Sequence, residues 1–225
     1  MNRCLLPRLA GSVIALGLLA TPCAFAAGKI LLAESFDSPG EAASRWTPLK
    51  SSIPWVVADG EAAPSGNVIF DLLRTKDFAP VTDGVFDLTV TVRFESALAG
   101  GNNRLILQMR DSQSNDGYEV VLSQGTSNNA QIAVIAGSST TSLTKGLVSK
   151  AFSFPVDTFT TVRWTRTAAG EMKVYVDGQE YMSGFDEQFH QFDVLSIGSR
   201  AYVPEGDTGP SAMRHIFGSV ELKGD

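Results

Sequence analysis

The chain has 225 residues, and its 24 acidic and 18 basic side chains give a formal charge of −6. An acidic chain of this kind has no general attraction for nucleic acid or for an anionic membrane surface, which argues against both as partners. The length suits one sizeable domain with a buried core and is short for two. Only two cysteines are present, Cys4 and Cys23, both near the start.

The first 26 residues have the pattern of a secretory signal peptide. Arg3 and Arg8 give a positive start, an apolar run extends over residues 9–20, and Ala24-Phe25-Ala26 offers small residues three and one positions before a cut. We therefore expect cleavage after Ala26 and export to the periplasm or beyond, with no membrane span in the mature chain. Processing removes both cysteines, so no disulfide is expected in the mature domain.

After this leader, apolar and polar residues alternate along many short segments, as they do in β-strands. Turn-forming dipeptides such as Asp59-Gly60 separate the segments. A single helical turn is predicted over 39–46 with Ser38 as its N-cap, and the Ser/Thr-rich residues 138–142 are predicted to be a loop. Many strands without a long helix indicate one all-β domain over 27–225, a two-sheet antiparallel jelly-roll sandwich. The predicted strands are 29–36, 55–59, 68–73, 85–95, 104–110, 118–124, 131–136, 148–154, 159–166, 172–176, 194–202 and 215–222.

Several segments also follow one another in a recognisable order. They are Glu34-Ser35-Phe36-Asp37, Trp46, Trp55-Val56-Val57-Ala58-Asp59-Gly60, Phe86-Asp87-Leu88-Thr89-Val90-Thr91-Val92-Arg93-Phe94, Gly117-Tyr118-Glu119-Val120-Val121-Leu122, Val162-Arg163-Trp164, Val174-Tyr175-Val176-Asp177-Gly178 and Leu195-Ser196-Ile197-Gly198. This order resembles the bacterial concanavalin A-like lectin/glucanase superfamily, including laminin G-like and 3-keto-disaccharide hydrolase-type domains. The resemblance implies two curved antiparallel sheets with carbohydrate as the usual ligand. It does not choose among lectins, adhesion modules, hydrolases and lyases.

The resemblance also implies that strands 104–110, 118–124, 131–136 and 195–202 form the concave, ligand-binding sheet. With Leu105 and its alternate neighbours pointing inward, the polar residues of these strands point into the groove. Arginine and glutamine can bind vicinal hydroxyls or a uronate carboxylate through paired hydrogen bonds. The competing interpretation is an ordinary solvated sheet face with cross-strand ion pairs. The predicted ligand-binding residues are Arg104, Gln108, Arg110, Ser123, Arg200 and Tyr202, with Tyr202 able to stack on a sugar ring.

Glu119 lies on the same predicted face and is the single candidate catalytic acid. Hydrolysis of a glycosidic bond needs two carboxyl groups, and the nearby Asp111 and Asp116 are better explained as turn residues. The Glu-x-Asp-x-x-Glu pattern of retaining glucanases and the patterns that mark alginate lyases of this fold are absent. The loop 111–117 offers oxygen ligands for Ca²⁺, but it lacks the spacing and closing glutamate of an EF-hand.

His190 and His215 are the only side chains that titrate near neutrality without help. A polysaccharide lyase would use one of them with Tyr118 or Tyr202 as base and acid. We expect surface histidines instead, and two isolated histidines give no zinc pattern.

Three functions therefore remain open from the sequence. The favoured one is an exported glycan-binding domain. The second is a glycoside or 3-keto-glycoside hydrolase, or a polysaccharide lyase, on the same fold. The third is an adhesion or structural domain that binds a protein, for example through an exposed sheet edge. A groove blocked by Phe185, Phe189 or Phe192 would favour the third.

Overall fold

The computed structural model describes residues 28–49, 54–65, 70–75, 78–94, 102–124, 130–137, 139–142, 155–202 and 215–224. In this part of the chain, no helix is long and apolar enough to cross a membrane. The elements are one helix, α1 (Pro39–Arg45), and the strands β1 (Lys29–Glu34), β2 (Trp46–Pro48), β3 (Trp55–Ala58), β4 (Glu61–Pro64), β5 (Phe70–Thr75), β6 (Phe86–Phe94), β7 (Asn102–Arg110), β8 (Gly117–Gln124), β9 (Ala130–Ala136), β10 (Ser139–Ser142), β11 (Thr160–Arg166), β12 (Glu171–Val176), β13 (Gln179–Phe185), β14 (Val194–Tyr202) and β15 (His215–Gly224).

The strands form two antiparallel sheets. An eight-stranded sheet has the order β13-β12-β11-β6-β15-β4-β3, with β1 also paired to β15, and a seven-stranded sheet has the order β10-β9-β8-β7-β14-β5-β2. Neighbours in a sheet often lie far apart in the chain, as β7 and β14 do, which is typical of a jelly roll. The predicted all-β, two-sheet jelly-roll sandwich is confirmed. The four strands expected to share one sheet are consecutive in it, as β9-β8-β7-β14.

The core between the sheets is built from alternate residues of each strand. On β6 every second residue from Phe86 to Phe94 is buried, because successive side chains point to opposite faces of a sheet. On β7 the predicted inward residues Leu105, Leu107 and Met109 are fully buried. Trp164 on β11 is also fully buried and meets the Phe86 ring edge-on, with 4.9 Å between ring centroids. This confirms the alternation as the pattern that places the core.

Four strands were not predicted from the sequence, namely β2, β4, β10 and β13. Because residues 139–142 form β10 and pair with β9, the loop predicted over 138–142 is wrong from residue 139 onward. Neither β4 (Glu-Ala-Ala-Pro) nor β10 (Ser-Thr-Thr-Ser) alternates apolar with polar residues. They are extended because a neighbouring strand supplies their hydrogen bonds, which a local pattern does not reveal. The strand predicted over 148–154 lies outside the described residues.

The predicted helical turn is confirmed as α1. Ser38 is its N-cap, and the hydroxyl accepts a hydrogen bond from the Glu41 N–H at 3.5 Å. At the C-terminal end of α1, Arg45 Nη1 lies 3.4 Å from Glu34 Oε2. The same oxygen accepts a hydrogen bond from the Trp46 indole N–H at 3.3 Å. These contacts tie the end of α1 and the start of β2 to β1. An apolar cavity of about 470 Å³ lies between α1 and the edge strands β2 and β3.

A fully buried arginine holds the segment that crosses from β13 in one sheet to β14 in the other. Arg166 on β11 donates from Nη1 to the Gly84 carbonyl at 2.9 Å and from Nη2 to the Asp186 carbonyl at 3.0 Å. Tyr118 on β8 donates from its hydroxyl to Asp186 Oδ1 at 2.6 Å and accepts from the Phe189 N–H at 3.1 Å. Both sheets therefore hold this segment, and with it the start of β14.

Candidate functional site

Cross-strand register arranges the predicted ligand-binding residues in rows on the side of the seven-stranded sheet that points away from the core. In the first row, Arg104 on β7 is the direct partner of Arg200 on β14 and of Ser123 on β8. In the second row, Gln108 on β7 is the direct partner of Glu119 on β8. The two rows are four residues apart along β7, which is about 13 Å. We call this surface the polar face, comprising Leu72, Arg74, Arg104, Ile106, Gln108, Arg110, Glu119, Val121, Ser196, Gly198 and Arg200.

The second row centres on a hydrogen bond between two almost fully buried side chains. Gln108 Nε2 donates to Glu119 Oε2 at 2.6 Å. On the other side of Gln108 the row continues through Ser196 on β14 to Arg74 on β5. Sequence reasoning missed Arg74 because the predicted strand ends at residue 73, whereas β5 extends to Thr75. The alternation of side chains would have found Arg74 if the predicted strand had extended to residue 75. Residue 73 points into the core, so the next residue along the strand points to the other side of the sheet.

The remaining predicted residues lie at the two ends of the polar face. Arg110 ends β7, and its Nη1 donates to Asn115 Oδ1 at 2.8 Å. At the other end, Tyr202 is the backbone partner of Asn102. For Ser123 and Tyr202 the structure describes the backbone alone, so stacking by Tyr202 stays a prediction.

An apolar strip separates the two rows. Leu72, Ile106 and Val121 form a cluster of buried residues distinct from the main core, in a row that crosses β5, β14, β7 and β8. Gly198 completes this row, and a Cβ at that position would come 2.7 Å from Leu72 Cδ2. The two rows of polar side chains are therefore separated by apolar side chains that are themselves buried.

Burial and neighbouring charges act in opposite directions on Glu119. Burial raises the pKa of the Glu119 carboxyl, while the hydrogen bond from Gln108 and the charges of three polar-face arginines lower it, and the net shift is upward. The pKa of Arg110 is lowered, first by its burial and also by the charge of Arg74, although Glu119 opposes this. The guanidinium groups thus interact with one another as well as with the carboxylates of Glu119 and Asp116.

The carboxylates of the loop 111–117 are engaged in hydrogen bonds with backbone N–H groups. Asp111 Oδ1 accepts a hydrogen bond from the Gln113 N–H at 2.9 Å, and Asp116 Oδ1 accepts from the Gly137 N–H at 2.6 Å. The Asp111 carboxylate closes its own turn, as the sequence favoured, whereas the Asp116 carboxylate ties the loop to the residue that follows β9. Among the described residues, no group of three or more His, Cys, Asp or Glu side chains could hold a metal ion.

Neither histidine lies on the polar face. His190 is exposed on the crossing segment. His215, at the start of β15, is only 1% exposed, with its ring centroid 4.0 Å from that of Phe94. Burial lowers the pKa of His215 to about 3, so the expectation of a surface histidine is correct for His190 and wrong for His215. Tyr118 faces the core, and burial followed by the hydrogen bond to Asp186 raises its pKa to about 12.

The phenylalanines of the crossing segment do not cover the polar face. The rings of Phe189 and Phe192 pack against Tyr118 on the core side, at centroid distances of 5.5 and 5.8 Å. Phe185 ends β13 in the other sheet. The blocked groove that would favour a protein-binding domain is therefore not produced by these three residues.

The sequence matches no protein-family model and no curated protein. Its fold does match solved structures. The carbohydrate-binding module CBM66 from Bacillus subtilis is similar with a TM-score of 0.56 over 80% of this chain and 96% of that chain, at 11% identity. A prokaryotic β-1,3-1,4-glucanase (lichenase) derived from a mouse hindgut metagenome has a TM-score of 0.61, with coverage of 86% and 99% and 13% identity. The exoplasmic/lumenal domain of VIP36, in a Ca²⁺/Man3GlcNAc-bound form, has a TM-score of 0.57, with coverage of 79% and 82% and 13% identity.

The protein has a concanavalin A-like jelly-roll fold. This confirms the superfamily resemblance of the sequence at the level of the fold. Identities of 11–13% show the fold alone, and a jelly roll supports binding as well as catalysis. The function of this jelly roll has to be argued from its own residues.

Proposed function

We propose that the mature jelly roll is an exported domain that binds a glycan on its polar face. The observation that carries this proposal is the cross-strand register, which sets Arg104 and Arg200 on one side of an apolar strip and Gln108 on the other. A saccharide presents vicinal hydroxyls, which forked donors bind in pairs. Arg110, Ser123 and Tyr202 extend the same face toward its two ends.

Two further observations support the proposal. Similar structures include a carbohydrate-binding module and a domain bound to Man3GlcNAc. The leader pattern of residues 1–26 supports export to the periplasm or the extracellular space, where glycans are accessible.

Hydrolysis at Glu119 is the second candidate, because a similar structure is a glucanase and burial raises the pKa of the Glu119 carboxyl. A buried, protonated carboxyl group is what a general acid requires. Hydrolysis also needs a second carboxyl group within about 5–10 Å. Glu119 is the only acidic residue that the described rows place on the polar face. Binding without turnover is therefore the function that the geometry supports best.

The test is incubation of the mature protein, residues 27–225, with a panel of neutral and uronate polysaccharides, followed by mass spectrometry of the soluble fraction. We expect the protein to be depleted onto at least one glycan without formation of products. Arg104→Ala and Arg200→Ala should each weaken binding by about tenfold, the loss of one charge-assisted hydrogen bond. Arg163→Ala is the matched control, because it removes the same charge from the outer side of the other sheet.

Each other outcome contradicts the proposal in a specific way. Products that have gained water would indicate a hydrolase, and Glu119→Gln should then abolish turnover while binding is kept. Unsaturated ends would indicate a lyase. If the protein is not depleted and no products form, glycan recognition is refuted and a protein partner is favoured.

A further inference from the structure

The charge of the polar face is opposite in sign to that of the whole protein. The chain carries a formal charge of −6. The described rows of the polar face nevertheless hold four arginines, Arg74, Arg104, Arg110 and Arg200, and one carboxylate, that of Glu119. Asp116, at the end of this face, also acts on Arg110. A basic surface concentrated on one side of an acidic protein is the electrostatic pattern of an anion-binding site.

The outer side of the eight-stranded sheet provides an internal comparison. Its basic side chains are neutralised by carboxylates on the same surface, as expected of a solvated sheet face. The pairs are Arg93–Glu61, Arg163–Asp87, Lys173–Glu171 and Lys223–Glu221, at 2.9, 2.6, 3.3 and 2.6 Å. Among the described residues, by contrast, no ion pair joins a polar-face arginine to a carboxylate. Within the described residues, the outer side of the eight-stranded sheet thus joins its opposite charges in close ion pairs, whereas the polar-face arginines act on the Glu119 carboxyl group only at longer range.

The arrangement of the polar-face arginines is unfavourable for the protein alone. Arg104 and Arg200 are direct cross-strand partners, and like charges in this position destabilise a sheet. The Nε atoms of Arg104 and Arg110 are buried without a hydrogen-bond partner, which also costs stability. Sites that break local rules of stability in this way are commonly functional ones.

We propose that the glycan recognised by the polar face is acidic, and that one of its carboxylates binds between Arg104 and Arg200. This inference rests on the proposed function and narrows it to saccharides that contain uronate residues. A guanidinium fork matches a planar carboxylate through two parallel hydrogen bonds, and two opposed forks can share one carboxylate. In the second row the Gln108 amide already donates to the Glu119 carboxyl group, and the remaining polar atoms of this pair can bind neutral hydroxyls.

The spacing of the rows sets the size and charge pattern of the ligand. About 13 Å separates the backbones of the two rows, so a ligand that spans both rows at this spacing is an oligosaccharide or polysaccharide. Nucleic acid fits less well, because it carries one charge per about 3.4 Å of each strand. A phosphate would then fall over Glu119 as well as over the first row.

The experiment is isothermal titration of the mature protein with soluble oligomers of polygalacturonate and of alginate. The comparison probes are the methyl esters of the same oligomers, neutral β-glucan and cello-oligosaccharides, dextran sulfate and poly(dT). We expect at least one uronate oligomer to bind about tenfold or more tightly than its own methyl ester. The affinity should fall as salt is raised.

Variants separate charge from geometry. Arg104→Gln and Arg200→Gln should each reduce uronate affinity about tenfold, and Arg200→Lys should recover only part of the loss, since it keeps the charge without the fork. Arg163→Gln is the control and should bind as the wild type does. A thermal melt of each variant shows whether it is folded.

The possible failures can be told apart. A neutral glycan that binds as tightly as the uronate oligomers, or esters that bind as tightly as the free acids, would overturn the acidic ligand while leaving glycan recognition intact. A second failure is that dextran sulfate or poly(dT) binds as tightly as the uronate oligomers and loses the same affinity in Arg104→Gln. That result would overturn the uronate ligand and indicate nonspecific binding of polyanions. Failure of every probe to bind would overturn the proposed function itself.

Discussion

Replacing Gly198 with alanine tests how closely the middle of the polar face is packed. Gly198 lies on β14 between Ile106 on β7 and Leu72 on β5. An added Cβ would overlap the Asp71 carbonyl oxygen and come 2.8 Å from Leu72 Cα and 2.7 Å from Leu72 Cδ2. Two of these three atoms belong to the backbone of β5, so a change of side-chain rotamer cannot relieve the overlap. The strand itself has to move.

Overpacking of this kind costs about 1–3 kcal/mol. In a domain of this size each kcal/mol lowers the melting temperature by about 2–4 °C, so Gly198→Ala should melt about 2–12 °C below the wild type. Gly40→Ala is the matched control, because an added Cβ in α1 meets nothing within 4 Å. Alanine also favours a helix by up to about 1 kcal/mol, so the control should melt at or above the wild-type temperature. Differential scanning calorimetry of the three proteins measures both effects.

A Gly198→Ala protein as stable as the wild type would refute the close approach of β14 and β5. The same substitution also probes the proposed function, since a displaced β5 carries Arg74 with it. Glycan affinity should therefore fall in Gly198→Ala and stay unchanged in Gly40→Ala.

Two further predictions concern stability. The pKa of His215 is about 3 in the folded protein and 6.5 ordinarily, so the unfolded chain takes up a proton first as the pH falls. The contribution of His215 to stability is therefore complete above about pH 6.5. Between pH 6.5 and pH 3 the free energy of unfolding falls by at most about 1.4 kcal/mol per pH unit. Urea unfolding between pH 7 and pH 4 should show this slope reduced in His215→Phe and kept in His190→Gln, and an equal slope in all three proteins would contradict it. Tyr118→Phe removes the hydroxyl that bonds Asp186 and the Phe189 N–H, and it should cost about 1–3 kcal/mol of unfolding free energy in urea. Tyr175→Phe is the control for a half-buried tyrosine on an outer surface, and an equal loss in both variants would argue against the role of the Tyr118 hydroxyl.

The face on which each candidate residue lies could be predicted from the alternation of apolar and polar residues. Leu105, Leu107 and Met109 are in the core as predicted, and Arg104 and Gln108 therefore share the opposite side of β7. This succeeds because the period of two is a local property of the extended backbone. It fails at β4 and β10, whose residues do not alternate, and at Arg74, where the predicted strand is too short.

The neighbours of each candidate residue were decided by the tertiary structure. Nothing local indicates that Arg104 meets Arg200, because the register between two strands distant in the chain depends on how the whole core packs. The burial of His215 against Phe94 has the same origin, since it depends on groups from other segments. The sequence by itself thus determined the all-β class, most of the strands and the side of β7 on which Arg104 and Gln108 lie. Only the tertiary structure decided which residues are neighbours, and so the raised pKa of Glu119 and the grouping of the arginines on the polar face, because both depend on contacts between strands far apart in the chain.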